Sequence, residues 1–207
     1  MPKLKLTYFD IHGGRGEPAR LALSMGGIPF EDDRVSPSDW ERRKPNTPFG
    51  TLPVLEVDGQ TLAQSNALNR YVGKLTDLYP TDAWQAALCD EAMEAVEDIS
   101  TKLAATMFLP DEEKKVQRKA LIDGPIPFYL LRLQQRLEAH GGYYFAADRL
   151  TVGDLKVFVW IRRDTLSPVS LIIFLPIYPI ASPPSWWSIM SGLRTTLVSR
   201  HIMQSME

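Results

Sequence analysis

Hydrophobic and polar residues alternate at the start of the chain as they do in a strand with one buried face. Leu4, Leu6 and Tyr8 are separated by single polar residues, and a period of two residues is typical of a half-buried strand. The next segment, GEPARLALSMGG, has a proline near its start and a glycine pair at its end, which predicts a helix. The chain is therefore expected to begin with a strand followed by a helix.

The pattern continues with three further strands and a second helix. A strand is expected around Phe30–Val35, and a polar loop follows it. The segment TLPVLEVDGQTLAQS favours two strands joined by a tight turn at Asp58–Gly59, and NALNRYVGKLTDL favours a helix. This order of elements predicts a thioredoxin-like α/β domain over residues 1–80.

Beyond Pro80 the pattern changes to that of long helices. The first is expected in PTDAWQAALCDEAMEAVEDISTKLAATMF, and the second, DEEKKVQRKALIDG, is interrupted by GPIP before it resumes as FYLLRLQQRLEAHGG. A third begins at TVGDLKVFVWI, where Thr151 and Asp154 are expected to form a capping box. We therefore predict an all-α domain over residues 81–207, with the boundary near Pro80–Thr81.

Charge and composition exclude several kinds of partner. The 207 residues carry 23 Lys and Arg against 25 Asp and Glu, so neither nucleic acid nor an anionic membrane is expected as a partner. Cys89 is the only cysteine, which excludes an internal disulfide, and no residues have the spacing of a metal-ligand cluster. With no signal peptide and no apolar run that spans a bilayer, we expect a cytoplasmic protein.

Two neighbouring turns have the features of a site for an extended peptide. In FGTLPVL, Pro53 precedes the third strand of the predicted sheet, where a cis peptide bond is expected. The backbone of Leu52 would then face solvent as a strand edge to which a peptide can pair. Ser65 is expected at the N-cap of a helix, whose unpaired N–H groups attract a carboxylate. Gln64 and Ser65 would bind that carboxylate, and a bare helix cap is the alternative.

Several segments together resemble one known family. They are Tyr8 in LTYF, the corner GRGEPARL, Trp40 with Lys44, FGTLPVLEVDG, and LAQSNAL. In this order and spacing they resemble the glutathione-binding domain of the cytosolic glutathione transferases of the tyrosine type, and the sigma-class pattern is nearest. The resemblance is dense through residues 1–80 and looser to about residue 161.

The resemblance implies a homodimeric enzyme with glutathione as co-substrate and no metal. Tyr8 would donate a hydrogen bond to the sulfur and favour the thiolate over a thiol whose ordinary pKa is about 8.5, and Arg15 would add positive potential there. Asp98 matches an acidic residue that reaches the γ-glutamyl end from the partner subunit. The residues that would hold the rest of glutathione are Trp40 and Lys44 at the glycine end, Leu52 and Pro53 at the cysteinyl backbone, and Gln64 and Ser65 at the γ-glutamyl end.

The second substrate is implied to lie between the domains, against the first long helix, where Met107 and Phe108 are candidates for its contacts. It would be a small hydrophobic electrophile that the thiolate attacks, or a peroxide such as a prostaglandin endoperoxide that the enzyme isomerises. Two alternatives remain open. Against the reading as an enzyme stand a non-catalytic relative of the kind found among lens crystallins and the poorly folded product of a damaged reading frame.

The resemblance ends near Arg162. The tail contains SPVSLIIFLPIYPIASPPSWWSIMSGLRTT, which is rich in proline and serine and has no helical period. Codons for Ser167 to Thr196 can be chosen so that a shifted frame spells an ordinary helical C-terminus of the family. We therefore hypothesise a single-nucleotide insertion or deletion near Arg162–Arg163, which leaves residues 162–207 atypical. An uninterrupted reading frame in the resequenced transcript would rule it out.

Overall fold

The computed structural model describes residues 1–165, with only the backbone of residues 162–165. A four-stranded sheet occupies the first part of the chain, in the order β2-β1-β3-β4. Its strands are β1 (Leu4–Phe9), β2 (Glu31–Val35), β3 (Val54–Val57) and β4 (Gln60–Ala63). β1 pairs with β2 in parallel, whereas the other pairs are antiparallel. The central strand β1 thus carries Tyr8 near its end.

All the remaining regular elements of the described residues are helices. Those in the first part are α1 (Glu17–Met25), α2 (Pro37–Arg43), a 3-10 turn (Lys44–Asn46) and α3 (Ser65–Leu75). The later helices are α4 (Ala83–Ala105), α5 (Asp111–Asp123), α6 (Pro125–Ala139) and α7 (Val152–Thr165). A thioredoxin-like α/β part followed by a helical part confirms the predicted fold class. The part of the tail from residue 166 onward, to which the frameshift hypothesis mainly refers, lies outside the described residues.

The segment expected to be a polar loop after β2 contains the short helix α2. Ser36 is its N-cap, and the Ser36 hydroxyl accepts a hydrogen bond from the backbone N–H of Asp39 at 3.2 Å. Pro37 occupies the first helical position, which suits its fixed φ. No residue of α2 is buried, so the segment has no apolar periodicity. The prediction of a loop was wrong because only the cap signals the helix.

One hydrophobic core joins the two parts of the chain. Leu23 of α1 and Leu68 of α3 pack in the same buried cluster as Met93 of α4 and Leu155 of α7. α4 and α7 approach closely at Gly153, where a Cβ would lie 2.9 Å from the carbonyl oxygen of Cys89. We call this cluster the shared core. It fixes α4 and α7 against the helices that flank the sheet.

The start of α7 is capped as the sequence predicts. The Asp154 carboxylate accepts hydrogen bonds from the backbone N–H of Thr151 at 2.8 Å and from the Thr151 hydroxyl at 2.6 Å. The Asp154 N–H donates to the Thr151 hydroxyl at 3.4 Å. The two side chains therefore form the reciprocal capping box. Within the described residues, none of the helices combines the length and the apolarity that crossing a bilayer requires.

Candidate functional site

Tyr8 lies at the end of β1 with its ring packed on the glycine corner that follows. The side chain is buried, and its hydroxyl accepts a hydrogen bond from the backbone N–H of Arg15 at 2.9 Å. A Cβ at Gly16 would lie 2.4 Å from the Tyr8 Cγ, and a Cβ at Gly14 would lie 2.5 Å from the Tyr8 hydroxyl oxygen. Any side chain at these two positions would displace the ring, so the glycines let the corner wrap around Tyr8.

The Arg15 side chain points to α4. Its Nε lies 2.7 Å from Oε1 of Glu97, and its Nη2 donates to Oγ1 of Thr101 at 3.3 Å. The sequence analysis expected Arg15 to add positive potential near the sulfur bound by Tyr8. The structure places its backbone N–H on the Tyr8 hydroxyl and anchors its guanidinium on Glu97, so Arg15 links Tyr8 to α4.

Tyr8, Leu52 and Trp40 belong to one apolar cluster at this end of the sheet. Tyr8 and Leu52 are buried together, and Trp40 packs against the cluster through Phe9. The rings of Phe9 and Trp40 meet edge to face with centroids 5.4 Å apart. The peptide bond between Leu52 and Pro53 is cis, as predicted. The structure therefore brings three of the predicted site residues, Tyr8, Trp40 and Leu52, to one place.

Lys44 and Gln64 directly follow two elements that carry members of this cluster, Trp40 on α2 and Ala63 on β4. Lys44 begins the 3-10 turn after α2, and its side chain is exposed. Gln64 is also exposed and has a φ of 74°, a value that L residues adopt at an energetic cost. Both side chains reach solvent and are therefore accessible to a ligand.

Ser65 differs from the prediction in its helix position. α3 begins at Ser65, and the N-cap position is taken by Gln64, whose side chain makes no capping bond. The prediction that Ser65 is the N-cap was wrong by one residue, because the helix begins one position earlier than expected, at Ser65 itself. Ser65 is buried, and its hydroxyl donates to Oε2 of Glu97 at 3.3 Å. Glu97 nevertheless connects the start of α3 to the Tyr8 corner, because it contacts both Ser65 and Arg15.

Glu97 is the centre of a polar network that the sequence analysis did not find. Its Oε1 pairs with Arg15, and its Oε2 lies 2.6 Å from Nζ of Lys156. Burial alone would raise the pKa of the Glu97 carboxyl, but Lys156 and Arg15 outweigh burial and hold that pKa below its ordinary value. Glu97 is therefore ionised at neutral pH. We call Arg15, Ser65, Asn66, Glu97 and Lys156 the Glu97 network.

Two family models match the chain. The one described as "Glutathione S-transferase, N-terminal domain" matches residues 4–74, and the one described as "Glutathione S-transferase, C-terminal domain" matches residues 97–169. The chain belongs to the glutathione S-transferase family. The predicted family is thus confirmed, and with it the expectation of a glutathione S-transferase enzyme.

Individual relatives agree with this membership. Glutathione S-transferase 1 of Ascaris suum is 38% identical over 161 residues, which are 76% of this chain and 78% of that protein. The structure of prostaglandin synthase D of Nilaparvata lugens superposes with a TM-score of 0.80 at 29% identity, covering 99% of this chain and 96% of that one. The sigma class GST of Fasciola hepatica superposes with a TM-score of 0.74 at 25% identity, covering 98% of this chain and 96% of that one.

The remaining candidate residues of this glutathione S-transferase family member lie on or after α4. Asp98 is exposed, and its Oδ2 accepts a hydrogen bond from the Tyr129 hydroxyl on α6 at 3.0 Å. Met107 and Phe108 lie in the turn after α4, which ends at Ala105, and 49% and 94% of their surfaces are exposed. The sequence analysis expected both residues on the first long helix. That prediction was wrong by two to three residues, because α4 ends at Ala105.

The described residues offer no obvious place for a metal. Among residues 1–165, no group of three or more His, Cys, Asp or Glu side chains is arranged to hold a metal ion. The charged groups around Tyr8 are instead paired with one another, as in the contact of Arg15 with Glu97.

Proposed function

We propose that the protein transfers glutathione to small hydrophobic electrophiles and that Tyr8 stabilises the reacting thiolate. The observation that carries the proposal is the hydrogen bond from the Arg15 N–H to the Tyr8 hydroxyl, at 2.9 Å. A phenol oxygen can accept this bond and donate its own proton at the same time. The bond fixes the hydroxyl at the mouth of the glycine corner, where it would donate to the sulfur of glutathione.

The reaction proposed needs only the thiol and its electrophile. The thiol of glutathione loses its proton to solvent, and the Tyr8 hydroxyl favours the thiolate by hydrogen bonding to the charged form. The sulfur then attacks an electrophilic carbon with its electron pair. A carbon–sulfur bond forms, and the leaving group departs with the electrons of the bond that breaks.

Glutathione would lie along the cluster that joins Tyr8, Trp40 and Leu52. Its cysteinyl backbone would pair with the backbone of Leu52 next to Pro53, and its glycine carboxylate would meet Trp40 and the exposed Lys44. The γ-glutamyl end would bind Gln64, Ser65 and the N–H groups at the start of α3. The position of Ser65 at the start of α3 supports this arrangement.

The second substrate would bind next to the turn after α4, where Met107 and Phe108 expose apolar side chains. Isomerisation of a peroxide, as in prostaglandin synthesis, is a second candidate reaction, which the similarity to prostaglandin synthase D of Nilaparvata lugens favours. The similarity to the Fasciola hepatica enzyme supports a sigma-like class. Assays with an aryl halide and with a prostaglandin endoperoxide, each with glutathione present, separate the two reactions.

We also propose a cytoplasmic homodimer in which Asp98 reaches the γ-glutamyl end of glutathione in the partner subunit. Asp98 is exposed on α4 in the single chain. A residue that acts across a subunit interface is expected to be exposed when its partner is absent. A division near Pro80–Thr81 is proposed as well, since α3 ends at Leu75 and α4 begins at Ala83. The two parts would then contribute different groups to one site.

Replacing Tyr8 with phenylalanine tests the proposed function. Tyr8→Phe keeps the ring and removes the hydroxyl, so turnover should fall by about 10–100-fold while the affinity for glutathione stays within about twofold. Spectrophotometric titration of the bound thiol should show a raised pKa. Tyr143→Phe is the matched control, because Tyr143 is 68% exposed in the helical part of the chain.

Two outcomes would count against the proposal. If Tyr8→Phe left both the thiol pKa and the rate unchanged, Tyr8 would have no part in the chemistry. If the parent bound glutathione but turned over neither class of substrate, the non-catalytic alternative related to lens crystallins would replace the enzyme. Loss of the parent protein to the insoluble fraction would instead support the alternative of a damaged reading frame.

A further inference from the structure

Lys156 is a charged residue within an otherwise apolar part of α7. Only 4% of its surface is exposed, and its neighbours Leu155 and Val157 are buried as well. A lysine is almost never buried to this degree unless its ammonium group is paired. Burial lowers the pKa of the Lys156 ammonium, and Glu97 offsets only part of that shift. Apolar packing alone therefore does not explain why a lysine occupies position 156.

The Lys156 ammonium contacts the start of α3 and the Glu97 carboxylate together. Nζ lies 2.6 Å from Oε2 of Glu97 and 3.5 Å from Oγ of Ser65, and it also contacts Oδ1 of Asn66. Since Arg15 takes the other oxygen of Glu97 at 2.7 Å, each carboxylate oxygen has a cation of its own. Lys156 thereby connects α7 to the residues on which the proposed glutathione site depends.

Glu97 competes with a bound carboxylate for the hydroxyl proton of Ser65 in this arrangement. The single hydroxyl proton of Ser65 is donated to Oε2 of Glu97 at 3.3 Å and can be donated to only one acceptor at a time. When Ser65 turns to a ligand carboxylate, Oε2 keeps its short contact with Lys156 and is not left without a partner. Without Lys156, Oε2 would lose its nearest cation and would retain the Ser65 proton.

The charge of Glu97 adds to the competition. A carboxylate close to Ser65 repels a second carboxylate brought to the same place, and in a partly buried site this repulsion is stronger than in water. Arg15 neutralises this charge from the side of Oε1, and Lys156 neutralises it from the side of Oε2, which faces Ser65. Of the two cations, Lys156 is therefore the one placed to protect an anion at the helix start.

We propose that Lys156 is a positioning residue that neutralises Glu97 and so leaves Ser65 able to bind the γ-glutamyl carboxylate of glutathione. The inference rests on the proposed function, since it assumes that glutathione binds at the start of α3. It assigns a binding role to a helix of the second part of the chain without any direct contact between Lys156 and the tripeptide.

Double substitution at Lys156 and Glu97 tests the inference. Lys156→Met removes the charge but keeps an unbranched side chain, and it should weaken glutathione binding by about tenfold or more, measured by titration calorimetry. KM for glutathione should rise, while kcat at saturating glutathione should stay within about threefold. Adding Glu97→Gln should restore most of the affinity, because the charge that Lys156 neutralises is then gone. Lys102→Met, at an exposed lysine of α4, is the matched control.

The ligand provides a second measurement. For the analogue of glutathione in which the γ-glutamyl carboxylate is a carboxamide, Lys156→Met should change the affinity by less than about twofold, because no charge is repelled. Lys156→Arg should keep the affinity for glutathione, since it retains a cation. If Lys156→Met does not fold, the same comparison is made between Glu97→Gln and the double variant, which should bind glutathione equally.

Several results would overturn the inference. They are an unchanged affinity in Lys156→Met, an equal loss for glutathione and for the carboxamide, and a double variant that binds more weakly than Glu97→Gln. Each would reduce Lys156 to a structural role in the packing of α7. Failure of the parent protein to bind glutathione would instead refute the proposed function, so the two failures are distinguishable.

Discussion

Replacing Gly16 with alanine tests whether the glycine corner positions the Tyr8 ring. A Cβ at Gly16 would lie 2.4 Å from the Tyr8 Cγ, which is 1.0 Å inside the 3.4 Å at which ordinary contact begins. The ring must withdraw by about that distance, which can stretch its 2.9 Å bond with the Arg15 N–H beyond hydrogen-bond range. A misplacement of about 1 Å at a reacting centre lowers rates by about 100-fold.

The backbone itself accepts the substitution, so the effect isolates the contact with the ring. Gly16 has a φ of −87°, which alanine adopts readily. We expect Gly16→Ala to lower turnover by about 10–100-fold and to raise the pKa of the bound thiol, as Tyr8→Phe does. Transferase assays and thiol titration check both quantities, and thermal unfolding shows that the variant remains folded.

Gly27→Ala is the matched control. Gly27 follows α1 with a φ of 63°, and no atom lies within 4 Å of a Cβ placed there. Alanine is strained at such a φ by about 1–2 kcal/mol, so Gly27→Ala should lower the melting temperature and leave the rate unchanged. A folded Gly16→Ala variant with the parent rate and thiol pKa would show that the position of the Tyr8 ring does not limit the reaction.

Two further predictions concern the γ-glutamyl end. Ser65→Ala should weaken glutathione binding by about 1.5–3 kcal/mol in calorimetry, because a hydrogen bond to a charged group is lost. The parent affinity in that variant would place the carboxylate elsewhere. For Asp98, verified heterodimers of Tyr8→Phe and Asp98→Asn subunits should show more activity for each intact Tyr8 than the Asp98→Asn homodimer, because the other chain supplies an intact Asp98. No recovery would refute a shared site and leave Asp98 as an exposed charge that bonds to Tyr129.

The elements that bury one regular face were predictable from the sequence. β1 alternates buried and half-buried residues from Leu4 to Phe9, and α4 buries apolar residues at helical spacing, among them Met93, Val96 and Ile99. Their periods of two and of about 3.6 residues are visible without any knowledge of the fold. Helix α2 was missed because it buries no residue, and such a helix has no period to detect.

The residues around Tyr8 were predictable through the family resemblance, whereas the Glu97 network was not. Glu97 and Lys156 are 59 positions apart and lie on different helices, so no local pattern connects them. The only local signal was a lysine within the apolar run LKVFVWI of α7, which is the kind of residue that requires a buried partner. The partner itself could be identified only from the way α3, α4 and α7 meet.

The shared core has a consequence for the exchange of segments between related genes. A recombination event at Pro80–Thr81 would join Leu23 and Leu68 from one parent to Met93 and Leu155 from the other, although these side chains fill one volume. Interiors at crystal-like density accept such mixtures only when the volumes match. α5 has no fully buried residue, and only Leu121 and Ile122 pack against a core cluster from its C-terminal end, so it imposes a weaker condition of this kind. Substitutions within α5 should therefore be tolerated more often than recombination at Pro80–Thr81.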